Sequence, residues 1–154
     1  MISCTFAGHR KIYTPDLKMK LHEVIVRLLT YDDSFVFYNG GKGEFDRLCA
    51  SEVNQAKLNF PQLSIRHCLV IPYLYSDFVK MQIDQNYFDE IILPSELDNI
   101  HYKAAIKKRN EWMVDRSNFI IAGVTKRSGG AYSMLQYAHR AGKKIIMLSA
   151  LKEI

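Results

Sequence analysis

Three short glycine-bearing segments hold the residues best suited to receiving an anion. They are Gly8-His9-Arg10, Asn39-Gly40-Gly41-Lys42-Gly43 and Ser128-Gly129-Gly130. Each follows an apolar run, and the last two open helix-patterned stretches. A turn from strand to helix presents backbone N–H groups at the positive end of the helix dipole, the arrangement that receives phosphate. Glycine lets the backbone approach such a group closely. Arg10, Lys42, Lys126 and Arg127 add positive charge beside these turns. The alternative for any one loop is that glycine only shapes a tight turn. Three loops on one edge, each beside a cation, favour ligand binding. None is a P-loop, and no G-x-G-x-x-G follows the first apolar run.

Arg109 lies one turn before Met113 on the inward side of a helix pattern. An inward guanidinium needs a partner. Asp46 and Asp115 are candidate carboxylates, and a bound ligand is the other. His9 is the histidine whose loop faces the expected pocket, suited to a ligand hydrogen bond rather than to general-base work. His22, His67, His101 and His139 have no spacing that marks a metal or a dyad, and no Cys/His pattern resembles a zinc site. Trp112 and the tyrosines at 73, 75, 87, 102, 132 and 137 read as core or interface. Tyr132, beginning a helix beside the glycines, is the exception worth testing.

The elements that must position these residues alternate regularly. Strand patterns fall at Ile2–Ala7, Ser34–Tyr38, Ile65–Pro72, Asn118–Val124 and Lys144–Ser149. Between them, Leu17, Leu21, Val24, Ile25 and Leu28 stripe a first helix, which Thr14-Pro15 would start. Phe45, Leu48, Cys49, Val53 and Ala56 stripe a second. A third, capped by Asp98, runs to about Arg116 with Tyr102, Ala105, Ile106 and Met113 inward. Ala131, Met134, Leu135, Ala138 and Ala141 stripe the last, and Gly142 suits its C′ position. The stretch from Tyr73 to Asn99 is less regular, with a short helix pattern around Asp77 to Gln82 and the triplet Ile91-Ile92-Leu93. Apolar strands alternating with amphipathic helices specify an α/β protein: a Rossmann-like three-layer α/β/α sandwich with a mainly parallel sheet. Ligands of such a sheet bind at the carboxyl ends of its strands.

The 154 residues suit one domain, and their composition, 48% hydrophobic and 24% charged, is that of a globular protein. A net charge of +5 favours an anionic partner. Much of the excess lysine (Lys18, Lys20, Lys57, Lys107, Lys108) lies on polar helix faces, and no basic run or aromatic-interleaved stripe is present. On that ground nucleic acid is disfavoured as a partner. Three cysteines without a close pair imply buried free thiols and a reducing compartment. No signal-peptide pattern or membrane-length apolar stretch is present, so a cytoplasmic location with no membrane partner is expected.

Taken in order along nearly the whole chain, Gly8-His9-Arg10, Gly40-Gly41-x-Gly43 with Asp46, Arg109-Asn110-x-x-Met113-Val114-Asp115 and Ser128-Gly129-Gly130 resemble the SLOG superfamily. That group includes the LONELY GUY-type phosphoribohydrolases and the Rossmann-like domain of DprA-type DNA-processing proteins. The likeness is greatest to its small, single-domain bacterial and phage branch. It implies one SLOG-like nucleotide-binding domain over residues 1–154, binding a nucleotide or an ADP-ribose-like derivative, often as a homodimer or higher oligomer. Gly8, His9, Arg10, Gly40, Gly41, Gly43, Asp46, Arg109, Ser128, Gly129, Gly130 and Ser133 are the expected ligand-binding residues. Phosphate is expected on the Gly129-Gly130 turn with Arg10 and Arg109, and ribose and base against the Gly40–Gly43 loop. No metal and no cofactor is expected.

The catalytic branch of the superfamily uses an arginine in R-x-x-x-M and a glutamate in P-G-G-x-G-T-x-x-E. Arg109 and Met113 match the first pattern. In the second, Ser128 replaces the proline, Tyr132 a glycine, Ser133 the threonine and Gln136 the glutamate. An amide cannot act as a carboxylate acid or base, nor stabilise an oxocarbenium-like centre by charge. Binding without turnover is the expectation. The alternative is phosphoribohydrolase-type cleavage of the N-glycosidic bond of nucleoside monophosphates, with Arg109 positioning phosphate and Glu44, Asp46 or Asp115 supplying the carboxylate.

Overall fold

The apolar runs assemble into one parallel sheet. The structure, a computed structural model, describes residues 1–12, 14–74 and 88–151. In chain order its elements are β1 (Ile2–Gly8), α1 (Leu17–Leu28), β2 (Ser34–Asn39), α2 (Glu44–Asn59), β3 (Ser64–Val70) and β4 (Glu90–Ile92). A 3-10 turn (Ser95–Leu97), α3 (Tyr102–Asp115), β5 (Phe119–Gly123), α4 (Gly129–Arg140) and β6 (Lys144–Met147) complete them. The strands lie in the order β4-β3-β2-β1-β5-β6, every pairing parallel. This is the α/β Rossmann-like architecture expected. The chain winds outward from β1 through β2, β3 and β4, then returns to β5 on the other side of β1. That reversal is the topological switch point, where a crevice opens beyond the strand ends. There Gly8 lies opposite Gly123.

Strand alternation divides the core into two layers. Cys4 and Phe6 of β1 point to the layer under α1 and α2, with Phe35, Phe37 and Ile121. Phe6 and Phe35 each stack on Phe37, at 6.1 and 6.3 Å between ring centroids. Leu17, Leu21, Ile25 and Leu28 of α1 and Phe45, Cys49, Val53 and Ala56 of α2 close this layer. Each such large apolar side chain contributes about 1.5–3 kcal/mol on leaving water. Ala7, Ile120 and Ala122 point the other way, toward Met113 and Val114 of α3 and Met134, Leu135 and Ala138 of α4. Cys4, Cys49 and Cys68 are buried free thiols. Gly142, at φ +70°, follows the end of α4 as its C′ residue. Among the described residues no helix is long and apolar enough to cross a membrane.

Several local expectations are corrected. Helix α1 begins at Leu17, because Asp16 takes a left-handed conformation (φ 61°) and interrupts the helix after Thr14-Pro15. Helix α3 is capped by His101, whose ring accepts from the Lys103 N–H at 3.3 Å; Asp98 instead closes the 3-10 turn in extended conformation. Tyr102 is exposed rather than inward, meeting Tyr73 edge-on. The Ile91-Ile92-Leu93 triplet contributes to an edge strand, since Glu90–Ile92 pair with Cys68–Val70. The short helix pattern around 77–82, with Tyr75 and Tyr87, lies outside the described residues.

Candidate functional site

The β1 end carries Gly8 and His9. A Cβ on Gly8 would lie 2.0 Å from Cδ2 of Phe45, and one on Gly123 would lie 2.5 Å from Cε1 of the same ring. The paired glycines make room for the first-turn phenylalanine of α2, so Gly8 has a packing role beside the ligand-binding one expected of it. His9 Nε2 accepts from the backbone N–H groups of Thr125 and Lys126 at 3.0 and 3.1 Å. Its ring therefore ties the β1 end to the loop after β5, and the neutral ring carries its proton on Nδ1. Partial burial, then the charge of Lys126, lowers its pKa.

The loop after β2 is organised by a carboxylate. Asp46, in the first turn of α2, accepts from the N–H groups of Gly40 and Gly41 at 3.0 and 2.7 Å. The Asn39 amide also donates to its Oδ1 at 3.1 Å. Fully buried Asn39 meets His67 Nε2 through its own oxygen at 2.6 Å. Two N–H groups expected to face a phosphate are thus directed at an internal anion, itself favourably placed at a helix N-terminus. Burial raises the Asp46 pKa, against the hydrogen bonds and the nearby Arg109 charge. Gly41 and Gly43, at φ +87° and +98°, form the left-handed turn that brings Asp46 back onto the loop.

Arg109 is anchored to main-chain oxygens while it lines the cleft. Its Nη1 donates to the carbonyls of Gly40 and Val70 at 2.8 and 2.9 Å, and its Nε donates to Asn110 Oδ1 at 2.9 Å. Asp115 is exposed and accepts from Tyr137 instead. A Cβ on Gly40 would sit 3.0 Å from Arg109 Cζ, so the glycine leaves space for the guanidinium to cross the loop. The arginine joins the ends of β2 and β3 to α3.

The loop after β5 is built otherwise. Ser128 precedes α4 in extended conformation without a side-chain cap, and the first turn of α4 holds no acidic residue. Among the described residues, a Cβ on Gly129 or Gly130 would meet nothing within 4 Å. This helix N-terminus, unlike that of α2, is not occupied by a carboxylate of its own first turn.

The loops enclose a cleft of about 290 Å³ at the switch point. Gly8, His9, Arg10, Gly40, Asp46, Arg109 and Gly130 line it, whereas Gly41, Gly43, Ser128, Gly129 and Ser133 do not. Ser133 and Gln136 are exposed; α4 turns Gly130, Ala131 and Met134 toward the cleft, one helical face that those two residues do not share. Tyr132 packs against the α3–α4 core layer and is absent from the lining. Lys42 and Asn110 line the cleft with Phe6, Phe45, Ile106 and Met113. Asn110 is a lining residue beyond those expected from the sequence, and the helical stripe 106, 109, 110, 113 is the signal that marks it. Among the described residues no cluster of His, Cys, Asp and Glu is arranged to hold a metal.

No family model matches the chain. It is 31% identical over 140 residues to the uncharacterized SPbeta prophage-derived protein YoqJ of Bacillus subtilis (strain 168), the match covering 80% of this chain and 81% of that protein. Solved structures share the fold. DNA processing protein A of Helicobacter pylori, described for its single-stranded DNA binding mode, aligns at TM-score 0.64 and 16% identity over 95% of this chain and 64% of its own. DprA of Streptococcus pneumoniae aligns at 0.66 and 15% over 96% of this chain and 50% of its own. The structure of TM1055 aligns at 0.60 and 13% over 94% and 72%. This chain therefore spans between half and two thirds of the DprA chains. One expectation is overturned: nucleic acid cannot be set aside as a partner, because a protein that binds single-stranded DNA has this fold across nearly all of the chain.

Proposed function

This chain belongs to the family of the SPbeta prophage-derived protein YoqJ, and we propose that it binds a single nucleotide unit in the cleft at the sheet's switch point. We place it within the SLOG superfamily, with residues 1–154 as one nucleotide-binding domain. The observation that carries the reading is the convergence of the loops after β1 and β2 and the first turn of α4 on one cleft, with Arg10 and Lys42 among its lining. At about 290 Å³, the cleft is at the small end of ligand pockets, about 300–1,000 Å³. That suits one nucleotide better than an ADP-ribose-like pair of riboses. Phosphate is assigned to Arg10, Lys42 and the α4 N-terminus. The carboxylate of Asp46 and the bonds of Arg109 to Gly40 and Val70 argue against the α2 loop as the phosphate site. Binding without turnover is supported by exposed Gln136, outside the cleft lining, and by the engagement of Asp46 with backbone N–H groups.

A second reading, favoured by the likeness to a single-stranded DNA-binding protein, is that the nucleotide unit belongs to a DNA strand. Calorimetry with AMP, dTMP and dCMP, beside fluorescence anisotropy with labelled oligo-dT, separates the two. Mononucleotide binding that persists at 150 mM salt while oligo-dT binding collapses favours the free nucleotide, because strand binding depends on counterion release. Folded protein that binds none of these ligands would overturn the proposal. Release of adenine from AMP, abolished in Arg109→Lys, would replace binding with hydrolysis.

A further inference from the structure

Asn110 stands beside Arg109 on the stripe of α3 that faces the cleft, between Ile106 and Met113. Among the described residues its carboxamide is held by one hydrogen bond, the Nε–H of Arg109 donating to Oδ1 at 2.9 Å. A guanidinium N–H only donates, so the oxygen of the amide must face it. The Nδ2 group is then turned away from Arg109, carrying two N–H donors with no acceptor among the described residues. Arg109 is itself fastened to the carbonyls of Gly40 and Val70, so the amide's orientation is anchored to the ends of β2 and β3. The result is a half-buried donor of fixed direction on a wall it shares with Ile106, Met113 and the Arg109 guanidinium, which is turned to the main-chain carbonyls. Such a wall suits the edge of a planar ring, while an anionic group is better served by Arg10 and Lys42.

The geometry points to Asn110 as the residue that selects the base, by requiring a hydrogen-bond acceptor on the edge that meets α3, with Arg109 as its positioning residue. This rests on the nucleotide-binding reading above. Pyrimidines supply a contrast of nearly equal shape: thymine carries a carbonyl acceptor where cytosine carries an amino donor. The native amide favours thymine. In Asn110→Asp the donors become an acceptor oxygen, the contact from Arg109 persists with added charge, and cytosine becomes the favoured base.

The test is the ratio of dissociation constants for dTMP and dCMP, measured by calorimetry on native protein and on N110D, each shown folded by circular dichroism. Native protein is expected to bind dTMP about tenfold tighter, since an unmet donor or a donor facing a donor costs that much or more. N110D is expected to invert the order. Asn110→Ala, which removes the amide without adding charge, should bring the ratio toward one and stands in if N110D does not fold. Arg109→Lys keeps the charge but lacks the Nε–H, and should blunt the ratio, a readout that loss of packing alone would not move. If native protein binds neither nucleotide, the nucleotide reading itself fails. If it binds both and N110D leaves the ratio unchanged, or weakens both equally, Asn110 does not read the base and the inference is overturned.

Discussion

At the scale of single residues, the site is governed by a few polar groups whose partners are backbone atoms. His9 accepts two N–H groups through Nε2, which only the ring lacking a proton there can do. Its pKa is lowered in the folded protein. A lowered folded pKa means that its contribution to stability is present above the unfolded value, about 6.5, and is lost as pH falls through the folded one. The urea midpoint of the native protein should therefore drop on acidification below about pH 6.5, and less so in His9→Gln. An NMR titration that places His9 above 6.5 would contradict this. Asp46→Ala leaves the N–H groups of Gly40 and Gly41 and the amide of Asn39 without their acceptor. Denaturant unfolding should show a loss of about 1–3 kcal/mol.

At the scale of elements, the helix N-termini at the sheet edge are of two kinds. That of α2 is closed by Asp46 and wedged by Phe45 between Gly8 and Gly123; that of α4 lacks a side-chain cap, and no described residue crowds its glycines. Substitution separates them. Gly8→Ala places a methyl inside the Phe45 ring contact and should cost about 1–3 kcal/mol or more by thermal unfolding. Gly130→Ala meets nothing among the described residues and stays within about 0.5 kcal/mol of native stability. It should still weaken nucleotide binding, because the new methyl stands where a phosphate is proposed to approach. Unchanged affinity in Gly130→Ala would remove the α4 turn from the binding site.

At the scale of the whole molecule, strand order decides where the loops meet. The reversal of winding at β1 brings the ends of β1 and β5 side by side, with α3 crossing back over the sheet to add Arg109 and Asn110. A ligand held there joins elements distant in sequence, so dTMP should raise the unfolding temperature in a concentration-dependent way. At a hundredfold excess over the dissociation constant the gain is about 2.7 kcal/mol. Arg10→Glu should reduce that shift without lowering the temperature of the ligand-free protein. The alternation of apolar runs and helical stripes, and the glycine turns following β1, β2 and β5, were legible in the order of residues, because periodicity and backbone freedom are local properties. β4 was not, since a three-residue strand exists through its pairing with β3. Nor were the main-chain partners of Arg109 at Gly40 and Val70, since carbonyls are groups every residue carries and no sequence distinguishes. By itself the sequence determined a parallel α/β sheet with basic, glycine-bearing loops on its carboxyl edge. Only the tertiary structure decided that Asp46 closes one loop while the other stays open, because N–H groups and carboxylates choose partners by distance in space.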